Sequence, residues 1–193
     1  MNRRKRPYKP LRVVLVLLTT SLLHGASIPT VDSIKSVVHK VLYSMMDEDI
    51  TIAKWHEGAY FTGHMAAYSL LGGDSVHRFA VDWSELNEWE PYKKVSTTFA
   101  DDHACTQTYC ELYLLDSTSE NEYMIEPTKS TFTNLINSPK SGRELWWWCD
   151  ALYMAPPAMS RIAYITGDTS YLSGMDHLFW DSKEYLYDPE EHL

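Results

Sequence analysis

From Ser33 onward apolar residues recur every three or four positions, and Val37, Val38, Val41, Leu42 and Met45 fall on one face of a helix opening near Thr30-Val31-Asp32. A second helix is predicted from Trp55 to Leu71. Gly72-Gly73 stops it, and Asp74 is expected to cap the next one, which runs through Val76, Phe79, Ala80, Trp83 and Leu86. The same order of helix, Gly-Asp turn and helix returns from Met159 to Leu172, and a degenerate copy runs from Cys105 through Leu115 into Asp116-Ser117-Thr118-Ser119. The turns at Asp74, Asp116 and Asp168 are about 40–50 residues apart, the interval of helix-hairpin repeats. No alternating strand pattern interrupts them. Hairpins whose inner helices carry small and aromatic residues predict an all-α protein, a ring of inner helices wrapped by outer ones. About seven helices are visible in the pattern.

Charge changes the picture at the N-terminus. Residues 2–12 carry Arg3, Arg4, Lys5, Arg6, Lys9 and Arg12 without an acid, and the apolar run from Val13 to Leu23 follows. A charged segment and a short apolar one before Gly25-Ala26-Ser27 read as a secretory signal over residues 1–26, with a partial helical domain over 27–193. Secretion or delivery to a periplasm follows, with no stable membrane association after cleavage. Removing that segment takes away six of the 17 Lys plus Arg and none of the 26 acids, so the charge goes from −9 to 11 − 26 = −15. So acidic a chain is repelled by polyanions, which excludes nucleic acid as a partner. A small anionic substrate needs only a local basic pocket, for which Lys140 and Arg143 are candidates beside their plainer reading as solvated loop charges. The three Cys, 105, 110 and 149, are expected to be buried thiols. His103, Cys105, Cys149 and His177 lack the paired spacing of a zinc site, and no metal or cofactor is called for.

Candidate chemistry sits in two places. In Trp146-Trp147-Trp148-Cys149-Asp150 a carboxyl stands behind three consecutive indoles. A carboxyl walled by apolar rings loses the water that stabilises its anion and keeps its proton, so Asp150 is expected to be a proton donor, with the indoles as a stacking face for a sugar ring. The plainer reading is an exposed Asp at a helix start. Asp101-Asp102, ahead of the Gln107-Thr108-Tyr109 helix, read as helix caps or as the second carboxyl of an acid and base pair across a common cavity. On the residues alone, a noncatalytic glycan-binding helical repeat stays open as the alternative.

The string WWWCDALYMAPP, with Tyr164-Ile165-Thr166-Gly167-Asp168 and the final Tyr185 to Leu193, resembles the unsaturated rhamnogalacturonyl hydrolases of glycosyl hydrolase family 105, relatives of the unsaturated glucuronyl hydrolases of family 88. The resemblance runs from about Trp55 to the last residue. It implies an (α/α)6 barrel, of which this chain would be an N-terminal portion, and a substrate that is an oligosaccharide ending in a 4,5-unsaturated uronic acid. It implies that Asp150 is the proton donor, that Trp148 stacks on the sugar, and that the acid ahead of the Gln-Thr-Tyr helix is the second catalytic carboxylate, with Asp102 preferred over Asp101. Trp55 and Asp101 are further candidates for lining the pocket, and His192 for its edge. Cys105-Thr106 departs from the family pattern, where Ile-Gly is commoner.

Overall fold

The computed structural model describes residues 28–191. The expected signal over 1–26, its junction with the following domain, and His192 lie outside the described residues. Two units are distinguished, Met1–Val37 and Val38–Leu193. In the first, Thr30 opens helix α1 (Val31–Met46), accepting the Ser33 backbone N–H at its hydroxyl over 3.2 Å while the Ser33 hydroxyl donates to the Thr30 carbonyl over 2.7 Å. The cap therefore falls where the sequence pattern puts it. Helix α1 runs on into the second unit.

The second unit is built of helical hairpins in two layers. Helix α2 (Trp55–Leu71) is followed by α3 (Asp74–Leu86), a single turn α4 (Ala100–His103) leads into α5 (Thr106–Leu115), and a 3-10 turn (Ser119–Met124) leads into α6 (Glu126–Ile136). Two more single turns, α7 (Gly142–Leu145) and α8 (Ala151–Met154), precede α9 (Pro156–Thr166) and α10 (Ser170–Leu186). Helices α2, α5 and α9 lie side by side as an inner layer, with α3 against α2 and α10 against both α9 and α6. Among the described residues there is no strand. This is an arc of the expected α/α toroid.

Sequence dictates which helix goes inside. Helix α5 buries Thr106, Gln107, Thr108, Tyr109, Cys110, Leu112 and Tyr113, as a helix packed between two others requires, and opens to solvent only at Glu111 and at its end, Leu114-Leu115. Helix α3 buries Val76, Ala80, Trp83 and Ser84, a single stripe at helical spacing. Phe61 of α2 stacks on Trp83 of α3 with centroids 3.8 Å apart, and the Trp83 indole N–H donates to the Ile52 carbonyl over 3.0 Å. The predicted Pro156-Pro157 break is the first turn of α9, where proline has no helical N–H to lose, and Gly167 ends that helix in the left-handed region. Asp74 departs from expectation: Gly73 takes the cap position, and Asp74 is the first helical residue, making no side-chain cap bond. A Gly-Gly turn already gives the backbone its reversal, so no capping side chain is required there.

Gly58 fixes how closely α2 approaches the acid-bearing segment. A Cβ there would lie 2.7 Å from the Cys105 nitrogen and 2.8 Å from the Ala104 carbonyl carbon, both backbone atoms that cannot swing aside. Gly58→Ala is expected to destabilise the protein by about 1–3 kcal/mol through overpacking, read as a lower urea midpoint with an unchanged slope. His103 gives a second expectation. It is fully buried, its Nε2–H donates to the Thr97 carbonyl over 3.1 Å, and burial lowers its pKa to about 4. Below about pH 6.5 the unfolded chain takes up a proton that the folded one refuses, so stability should fall as pH drops from about 6.5 towards about 4, by up to about 3 kcal/mol. Thermal melts across that window check it, and His103→Gln, which keeps an N–H for Thr97, should flatten the slope; His64, also lowered by burial, supplies what slope remains.

Candidate active site

The two acid-bearing segments meet because α4 packs against α8. Within α4 successive side chains point about 100° apart, so Asp101 and Asp102 cannot face the same way. Asp102 is buried and accepts the Thr97 hydroxyl at Oδ2 over 2.6 Å, while its backbone carbonyl takes the Tyr92 N–H over 3.1 Å. Asp101 is half-buried, and its pKa is raised by loss of water, then by the nearby charges of Asp150 and Asp102, with Lys93 pulling the other way. Of the two acids Asp101 is the more exposed and feels the charge of Asp150, whereas Asp102 is buried against Thr97.

The indoles also sit differently from expectation. Trp146 is fully buried, but Trp147 and Trp148 are 43% and 64% exposed, and Asp150 and Cys149 are exposed too. Trp146 closes α7 and residues 147–150 form a turn at the surface, so three consecutive rings cannot share one face and cannot enclose the carboxyl behind them. Cys105 and Cys110 are buried as expected, their thiols pushed up to about 12 by burial, whereas Cys149 is not. Among the described residues no group of three or more His, Cys, Asp or Glu is arranged to hold a metal ion.

What walls the acids is an aromatic contact that the sequence does not announce. Phe99, just ahead of α4, packs on Trp147 with ring centroids 5.4 Å apart, joining the two segments. Lys93 lies over the Phe99 ring at 5.6 Å and over Tyr92 at 5.8 Å, and its ammonium is 3.7 Å from Asp102 Oδ1. Lys54, which precedes α2, lies over the same Tyr92 at 5.6 Å, and Trp55 follows it, 48% exposed. Beneath, the buried Gln107 amide donates to the Tyr153 and Met154 carbonyls over 2.9 and 3.2 Å, fixing the end of α8 to α5. Gln107 was visible only as part of a motif and Trp147 only as one of three indoles; Phe99, Thr97 and Lys93 carry no spacing signal at all. Arg143 is not a pocket cation, since it makes a two-pronged ion pair with Asp181 of α10.

Fold and site together define an α/α-toroid protein with two neighbouring carboxyls beside a partly exposed aromatic wall. The profile described as Glycosyl Hydrolase Family 88 matches residues 32–193, and the chain belongs to that family. Curated relatives include an unsaturated 3S-rhamnoglycuronyl hydrolase of Formosa agariphila, 30% identical over 151 residues and 72% of this chain, and one of an Alteromonas species, 34% identical over 162 residues and 70% of this chain. The chain spans 39% and 37% of those two relatives, under two fifths of their length. Among solved structures it is similar to one titled a polysaccharide lyase (TM-score 0.71, 25% identity, 82% of this chain and 49% of that one). It is similar in fold to a glycosyl hydrolase family 88 protein from Bacteroides vulgatus (TM-score 0.70, 24% identity, 81% and 49%).

The different settings of the two adjacent acids predict different losses. Asp102→Ala removes the partner of a buried hydroxyl and is expected to cost about 1–3 kcal/mol, seen as a lower urea midpoint. Asp101→Asn relieves repulsion in a partly desolvated place and should leave the midpoint unchanged or raise it.

Proposed function

We propose that this chain carries the catalytic carboxyls of a glycoside hydrolase that removes a 4,5-unsaturated uronic acid from the non-reducing end of lyase-generated oligosaccharides. The observation that carries the reading is the Asp101 and Asp150 pair beside Phe99, Trp147 and Trp148. Two carboxyls in different settings divide the roles of acid and carboxylate, so that one proton is there to give.

That proton suits an enol ether. Delivered by Asp150 to C4, it leaves positive charge at C5 beside the ring oxygen; water adds at C5 and returns a proton to the pair, with Asp101 as the receiving carboxylate. The resulting hemiketal opens and releases the aglycone. The pair keeps one proton, now on Asp101, whose return to Asp150 resets the site, and water alone is consumed. Trp148 and Trp55 offer exposed indoles on which a flattened sugar ring stacks, and Asp102 positions Asp101. A rhamnose-linked substrate is supported by the relatives' name, which couples an unsaturated glycuronyl group with rhamnose, and by the likeness of the Trp-Cys-Asp segment to rhamnogalacturonyl hydrolases. The basic and apolar start of the chain supports export to the cell exterior or periplasm.

Mixing the protein with unsaturated rhamnogalacturonan disaccharide, and separately with an unsaturated 3S-rhamnoglycuronyl oligosaccharide, should bleach the ultraviolet absorbance of the double bond with at least one of them. Asp150→Asn should lower turnover by at least about a thousandfold while tryptophan fluorescence still reports binding. Binding by the wild type with no bleaching would leave a glycan-binding protein in place of an enzyme.

A further inference from the structure

The loop from residue 87 to 99 is held in a costly shape. Glu88, Trp89, Lys93 and Lys94 all have φ between 57° and 73°, a region that residues with a Cβ seldom occupy. The surroundings over-determine it. Trp89 is buried edge-on against Tyr109, the Tyr109 hydroxyl donates to the Glu90 carbonyl over 3.2 Å, and the Lys94 ammonium bridges Glu88 and Glu90 at 2.8 and 2.6 Å. The Tyr92 N–H is bound to the Asp102 carbonyl, and Thr97 to the Asp102 side chain.

The consequence of this strain is the place it gives Lys93. Lys94 is spent on closing the loop, whereas Lys93 projects over Tyr92 and Phe99 to within 3.7 Å of Asp102 and stays 62% exposed at its side chain. An ammonium has three donors, and at 3.7 Å the contact with Asp102 is electrostatic and leaves them open to a second anion. In a chain this acidic, a cation fixed over aromatic rings beside the acid pair is the local exception that an anionic sugar requires.

We propose that Lys93 is a substrate-positioning residue that binds the carboxylate of the uronic acid, and that the strained loop exists to hold it above the acid pair. This rests on the function proposed above and adds the group that selects the acid over a neutral sugar. Lys93 also acts on the pair itself, since its charge opposes the effect of Asp150 and Asp102 on the Asp101 proton.

The test compares an unsaturated uronide disaccharide with its methyl ester, by tryptophan-fluorescence titration of the wild type, Lys93→Gln and Lys93→Arg. The wild type should bind the acid about tenfold more tightly than the ester, a preference that fades with added salt. Lys93→Gln should bring the two within about twofold and Lys93→Arg should restore most of the difference. Where bleaching is followed, Lys93→Gln should raise KM far more than it lowers kcat and should move the basic limb of the pH profile upward. Equal preference in wild type and Lys93→Gln overturns the assignment of Lys93 while leaving the hydrolase reading intact. Failure of the wild type to bind either sugar overturns both.

Discussion

A buried carboxylate needs partners, and Asp102 takes its partners from a different segment of chain. Its side chain accepts the Thr97 hydroxyl and its carbonyl accepts the Tyr92 N–H, so one residue of α4 binds the preceding loop at two points. Once Asp102 faces inward, the pitch of the helix turns Asp101 outward toward Asp150. The same anchoring brings Phe99 to Trp147 and Lys93 to the rim. The local geometry around the acids thus follows from satisfying a single buried carboxylate.

The inner layer makes that arrangement stiff. Helix α5 is buried over most of its length, and two of its polar residues, Gln107 and Thr106, find partners on the backbone of α8 and of α4. Each bond ties an inner helix to one of the short turns that carries an acid. Gly58 permits α2 to close on the same junction, and the Arg161 and Glu111 ion pair joins α9 to α5. The acids themselves lie on single turns at the mouths of the inner helices, which is where loops on a rigid scaffold concentrate chemistry.

The site combines an acid pair, an aromatic wall and one exposed cation, and the division of labour is electrostatic. Burial, then the charges of Asp150 and Asp102, raise the hold of Asp101 on its proton, and Lys93 opposes them. Such a balance is tunable by small displacements, because carboxyls near the surface respond both to water access and to neighbouring charge.

The amino-acid sequence by itself determined the helical hairpins. The helix of α1, the stripe of α3, the Gly72-Gly73 and Gly167 turns and the Pro156-Pro157 start are local signals with local causes and recur in the structure, although of the apolar stripe expected on α1 only Leu42 is buried. The family was legible too, because the Trp-Cys-Asp segment is a contiguous string. Only the tertiary structure decided which of two adjacent acids faces Asp150, that Trp147 and Trp148 stay at the surface while Trp146 is buried, and that Cys149 is exposed. Those outcomes depend on where a short turn leaves a helix and on which distant hydroxyl, ring or ammonium meets it. Thr97, Phe99 and Lys93 act through space on residues that no periodicity links to them, so no pattern along the chain could have named them.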